Sequence, residues 1–146
     1  MLNMDGRVIQ ERSTSNMWNY KGHPVTEVSD MPNGTIGFVY KITNRETREW
    51  YIGKKSLYST LTKPPLKGMK RKRKVTGESK WKEYQSSNKE VQKWLNVDKN
   101  ILYYCSSKKE LTHRETSVQF KLDVLQDEFA LNSSILGKFF PGEITL

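Results

Sequence analysis

Three groups of residues in this sequence have types and spacings that could do chemistry. The first is a single acid, Glu115. At about 100° per residue it shares a helical face with Leu111, Val118 and Leu122, whereas Glu110 and Asp123 fall off that face. A carboxylate among apolar side chains is costly unless a cation meets it. Two partners stay open at this point: a structural basic side chain or a metal ion. The second group is a basic run. From Lys63 to Lys82 there are nine Lys/Arg against one acid, Glu78, which is nearly all of the chain's net +9. Clustered charge of this kind suits contact with phosphates, although a solvated loop or a localisation signal has the same composition. The third is a tyrosine pair, Tyr40 and Tyr51, eleven residues apart. Taken alone, two such tyrosines read as core aromatics.

Other reactive residue types contribute little. His113 points away from the Glu115 face and reads as a solvated histidine, and His23 has no companion ligand. With one cysteine, Cys105, there is no internal disulfide and no cysteine-based zinc cluster. Cys105 reads as a small buried apolar residue on a strand.

The elements that must position these residues follow from pattern. Residues 1–34 read as a polar N-terminal extension, ending in the turn Met31-Pro-Asn-Gly34. Trp18 and Tyr20 could pin it to the domain. From Thr35 onward, Ile36-Gly-Phe-Val-Tyr-Lys-Ile42 and Glu49-Trp-Tyr-Ile-Gly53 read as two strands of an antiparallel hairpin. The basic insertion follows at about 56–79. Pro64, Pro65, Gly68 and Gly77 make it a loop or excursion rather than one helix. Residues 79–96 carry aromatics at loosely helical spacing, broken near Ser86-Ser87-Asn88, where a Ser or Asn cap begins the second part. Asn100–Ser106 reads as a third strand. Ser107 with Glu110 forms a capping box, predicting a helix to about Asp127. A short helix is expected from Asn132. The whole is a mixed α/β (α+β) arrangement, its nuclear part spanning 35–146.

Composition sets the outer bounds. The 146 residues suit one small domain, and 11% aromatics suffices to seed a core. No apolar run approaches the roughly 20 residues of a membrane span. Met1-Leu-Asn-Met-Asp-Gly6 lacks a charged-then-apolar leader, so an intracellular (cytoplasmic) setting is expected.

The tyrosine pair resembles the paired motif of the GIY-YIG nuclease family. Tyr51-Ile52-Gly53 matches the second triplet in full. The first is degenerate: Phe38-Val39-Tyr40 stands in place of Gly-Ile-Tyr, with Gly37 one position early. Lys54 matches the lysine that often follows the second triplet. Lys80-Trp-Lys-Glu-Tyr84 resembles the helix bearing a basic residue and, four later, a His or Tyr. Glu115 fits the place of the family's metal-binding glutamate, and Asn132 the asparagine beyond that helix. Asn132 reads equally well as a helix N-cap. The resemblance covers roughly 35–135 and is nearest in character to small stand-alone phage nucleases of the homing-endonuclease type.

The resemblance implies a small three-stranded antiparallel sheet flanked by helices, DNA as partner, and one divalent cation, Mg²⁺ or another such as Mn²⁺, on Glu115. A membrane and a small organic cofactor are not implied, and the oligomeric state stays open. Tyr40 would serve as the base, its pKa lowered by nearby positive charge. Lys54 would supply some of that charge, Tyr51 would hold the attacking water or the phosphate, and Tyr84 would add a further hydrogen bond. The insertion residues Lys67, Lys70, Arg71, Lys72, Arg73 and Lys74 would bind the nucleic acid. The family's arginine falls on Leu61 here; Lys80 replaces it by register, Arg71 or Arg73 by chemistry, since a guanidinium binds phosphate bidentately. Two alternatives accompany this reading: an inactive basic nucleic-acid-binding module on the same scaffold, and a regulatory protein whose basic loop meets an acidic partner.

Overall fold

The computed structural model describes residues 16–142. In chain order these form β1 (Trp18–Tyr20), β2 (His23–Pro24), β3 (Gly37–Asn44), β4 (Trp50–Ser56), β5 (Tyr58–Lys63), β6 (Arg73–Glu78), α1 (Lys89–Gln92), β7 (Val97–Cys105) and α2 (Lys108–Lys121). The expected hairpin is present as β3 and β4, antiparallel, with Tyr40 opposite Gly53 and Ile42 opposite Tyr51. Asn44 closes its turn, its Oδ1 accepting from the Glu46 and Thr47 amides at 2.9 and 3.3 Å.

The main sheet has five strands, not the expected three, in the order β2-β1-β7-β3-β4. The two additional strands come from the stretch read as an extension. β1 pairs parallel with β7, Trp18 opposite Lys99, and β2 folds back antiparallel on β1. Strands of three and two residues carry too little alternation to be seen in sequence. What holds them is Trp18, buried against Phe38 and Tyr40, with its Nε1 donating to the Trp81 carbonyl at 2.8 Å. The remainder of that stretch, residues 1–15, lies outside the described residues.

Strand alternation divides the core between the two faces of the sheet. On one face Phe38, Tyr40 and Ile42 pack with Trp18, Leu57, Trp81, Val91 and Trp94. On the other, Val39, Trp50 and Ile52 pack with Leu111 and Val118 of α2, and with Val124 and Ile135 beyond it. Gly37 permits the close approach of α2: a Cβ there would stand 2.8 Å from Leu111 Cδ2 and 2.7 Å from the Lys55 carbonyl oxygen.

Helical segments are shorter than the sequence predicts. Within 79–96 four residues form a helix, α1, capped by Asn88, whose Oδ1 accepts from the Glu90 and Val91 amides. Side-chain bonds to the backbone, such as Gln85 Nε2 donating to the Val91 and Trp94 carbonyls, compete with longer helix here. α2 begins at the expected Ser107 cap but stops at Lys121, because Asp123 turns left-handed at φ 57°. Residues 132–136 form no helix; Ile135 instead bridges to Phe139.

The basic insertion is ordered as a two-stranded antiparallel ribbon, β5 with β6, apart from the main sheet. Its base is fixed where Ser79 donates from its amide to the Leu57 carbonyl (2.7 Å) and from its hydroxyl to the Ser56 carbonyl (2.6 Å).

Candidate active site

The site is built around strand β4, whose alternation deals its side chains to two faces. Tyr51 and Lys55 lie on the face of Tyr40; Lys54 lies on the face of α2. Gly53 stands between them, opposite Tyr40. A Cβ at Gly53 would sit 2.5 Å from Tyr40 Cζ, nearer still to the hydroxyl, and 2.9 Å from Tyr51 Cε1. The Tyr40 phenol thus occupies the space a side chain would need. That is the physical reason for glycine in the Tyr-Ile-Gly triplet.

Three tyrosines gather on this face. The Tyr40 ring lies 6.3 Å from Tyr51 and 6.0 Å, edge-on, from Tyr84. Tyr40 is 1% exposed, with Ser86 and Tyr84 as hydroxyl partners. Its pKa is well above the ordinary tyrosine value, because burial penalises the phenolate and Tyr84 and Tyr51 add to the effect. This reverses the lowering expected from sequence: the nearest groups are neutral phenols, not cations. Tyr51 is raised too, chiefly by burial, and the Glu115 charge contributes. Its hydroxyl stands 3.5 Å from Ser87 Oγ.

The sequence marked Ser86 and Ser87 as a helix break and not as site residues, and Lys55 was not singled out. Ser86 is buried and left-handed at φ 77°, a conformation that costs a non-glycine residue free energy. It is held there by the Asn88 amide, donating to Ser86 Oγ at 3.0 Å, and by Gln92 Nε2, donating to its carbonyl at 2.9 Å. Lys55 Nζ lies 4.4 Å from the centre of the Tyr84 ring. The signal for Lys55 was available: it follows Tyr51 and Gly53 at the strand period of two.

On the α2 face, Glu115 is half-buried, its side chain 16% exposed. Lys54 Nζ lies 4.0 Å from its Oε1, the outer limit of an ion pair, and donates to Thr112 Oγ1 at 2.8 Å. The Glu115 pKa is raised, burial being the main cause and Lys54 opposing it. Among the described residues no cluster of three or more His, Cys, Asp or Glu is placed to hold a metal ion. One partly desolvated carboxylate still fits Mg²⁺, which retains several waters and takes one or two carboxylates together with substrate phosphates.

Asn132 is not a helix N-cap. No helix begins there. Its Oδ1 accepts from the Ile52 amide at 3.1 Å and its Nδ2 donates to the Ile52 carbonyl at 2.8 Å. It therefore completes the free edge of β4 next to Tyr51 and Gly53, continuing the pairing of Trp50 with 129–131.

Tyr40, Tyr51, Tyr84, Lys54 and Glu115 are thus brought together around one strand. Lys80, Arg71 and Arg73 are exposed. Among the described residues they make no hydrogen bond or ion pair with that group; Arg73 Nε instead donates to the Pro64 carbonyl at 3.4 Å. Lys67, Lys70, Arg71, Lys72, Arg73 and Lys74 are all exposed on the ribbon or its tip. His113 is exposed and Cys105 buried, as expected, with burial pushing the Cys105 thiol up to about 11. No helix of the described residues is long and apolar enough to cross a membrane.

Comparison with protein families matches residues 18–135 to the family described as "Putative endonuclease segE, GIY-YIG domain". The match begins at Trp18, the first residue of β1, and ends at Ile135 in the second core cluster. Comparisons with curated proteins and with solved structures returned no match.

Proposed function

The chain belongs to the GIY-YIG endonuclease family, and from that premise we propose that it is a metal-dependent DNA endonuclease with its site at β4 and Glu115. The observation that carries this reading is the half-buried Glu115 beside the tyrosine cluster, with no cation among the described residues nearer than Lys54 at 4.0 Å. A carboxylate left so weakly paired is a poor structural ion pair and a good cation ligand.

Glu115 would hold the metal, which when bound supplies Lewis acidity to the phosphoryl and leaving oxygens. The chain's own residues do the rest. Tyr40 stays protonated at neutral pH, so it acts through its hydroxyl, orienting the attacking water, rather than as a preformed phenolate. Tyr51, with Ser87 beside it, offers a second hydroxyl to the water or phosphate. Lys54 and Lys55, just beyond Gly53, bring positive charge to the two faces of β4, where charge would develop on the phosphate. They stand closer to the tyrosines in the ladder than Lys80 or the ribbon arginines, which are left to grip the DNA. The ribbon's Lys67, Lys70, Arg71, Lys72, Arg73 and Lys74 hold the backbone away from the reacting bond.

The test is conversion of supercoiled plasmid to nicked or linear DNA, with and without Mg²⁺, by the native chain, Glu115→Gln and Tyr40→Phe. Metal-dependent conversion by the native chain, lost in Glu115→Gln, is expected. A band shift that fades with salt and never leads to cleavage would overturn the enzyme and leave a binding module.

A further inference from the structure

The ribbon carries a feature that phosphate contact does not use. At its tip, Leu66 is 57% and Met69 64% exposed. They are the first and last residues of one tight turn: the Met69 amide donates to the Leu66 carbonyl at 2.8 Å, and Gly68 supplies the required φ of 86°. Pro64 and Pro65 precede the turn, and Lys67, Lys70, Arg71 and Lys72 surround it, all exposed. Six-residue strands place this tip about 20 Å from the ribbon's base. A solubility loop has no use for two large apolar side chains at its farthest point.

We infer that the ribbon is a groove-entering arm whose Leu66–Met69 tip wedges between base pairs and partly unstacks them. This rests on DNA being the substrate. A two-stranded ribbon fits a DNA groove, and apolar wedges of leucine, methionine or proline are a general means of kinking a duplex. The surrounding cations select the occupant: a phosphodiester backbone neutralises all four, whereas an apolar protein surface would strand them. The flanks agree, since one face of the ribbon presents Thr60, Thr62, Lys74 and Thr76, polar groups suited to phosphates and base edges. The wedge would give the enzyme a preference for deformable steps without reading bases directly.

Unstacking changes helical twist, so the test is relaxation of plasmid by a metal-independent topoisomerase in EDTA with the full chain bound. The native chain is expected to shift the linking number in proportion to the amount bound. Leu66→Ala/Met69→Ala, altered at an exposed tip, should lose most of that shift while its DNA affinity stays within about threefold and its salt dependence is unchanged. An undiminished shift in the variant, or no shift by the native chain at saturation, overturns the inference. So does a variant whose loss is confined to self-association or to binding of phosphatidylserine vesicles. Because no cleavage occurs in EDTA, a chain that unwinds without ever cutting loses the nuclease reading alone. One that cuts without unwinding loses the wedge alone.

Discussion

Gly53 and Tyr40 face each other across the β3–β4 ladder, and the phenol of one fills the place of the other's missing side chain. The pair is one packing unit, so a methyl group at Gly53 must displace Tyr40. Gly53→Ala is expected to cost about 1–3 kcal/mol, the usual range for overpacking a filled core, and to abolish any activity that depends on the Tyr40 hydroxyl. Urea denaturation checks the first and plasmid cleavage the second. Gly77→Ala is the control: a Cβ there meets nothing within 4 Å, and stability should move by no more than about 0.5 kcal/mol.

Glu115 is destabilising as a carboxylate at neutral pH, and the sign follows from its raised pKa. A group whose folded pKa exceeds its unfolded one binds its proton more tightly in the folded state. Its contribution is therefore full at low pH and lost as pH rises through the folded value. Glu115→Gln should be at least as stable as the native chain at pH 7, with the difference vanishing near pH 4. Cleavage should nevertheless fall by about two orders of magnitude or more. Thermal melts at the two pH values and a plasmid assay separate these effects.

Lys54 opposes the burial of Glu115, lowering a pKa that burial raises. Removing that charge in Lys54→Met should move the Glu115 titration to higher pH, which carboxyl NMR of the metal-free protein reads directly. An unchanged midpoint would show that Lys54 serves Thr112 alone.

Asn132→Ala removes both bonds to the Ile52 backbone and leaves a buried amide and carbonyl without those partners. Gln119 Nε2, which donates to the same carbonyl at 3.3 Å, compensates in part. A loss of about 2–3 kcal/mol is expected, by chemical denaturation. Asn132→Asp should be worse than its size suggests, since a carboxylate cannot donate to the Ile52 carbonyl.

The parts of the site legible in sequence were those written in short-range pattern. Tyr40 and Tyr51 lay on a hairpin of clear β composition, and Glu115 stood out as a charge on an apolar helical stripe behind the Ser107 cap. That stripe was narrower than its spacing implied, since α2 ends at Lys121 and Leu122 is half exposed. Less legible was whatever depends on contacts between distant segments. β1 is a three-residue strand that exists because Trp18 finds Phe38, Tyr40 and the Trp81 carbonyl. Asn132 reached Ile52, 80 residues away, and no local pattern marks such a bond. The basic insertion is an excursion rather than a helix, as its prolines and glycines imply, but they hid its pairing as a ribbon. Pro64, Pro65 and Gly68 belong to the tip, while β5 and β6 on either side pair without interruption from Tyr58–Glu78 to Lys63–Arg73.

The parallel pairing of β1 with β7 also fixes the order in which a growing chain can become complete. Val97 donates to Asn16 across 81 residues, and Glu115 arrives later still. On the ribosome the tyrosine hairpin and the basic ribbon are made before the strand that closes the sheet and before the helix that bears the carboxylate. In a nascent chain the ribbon's cluster of positive charge is therefore complete well before the helix that carries Glu115.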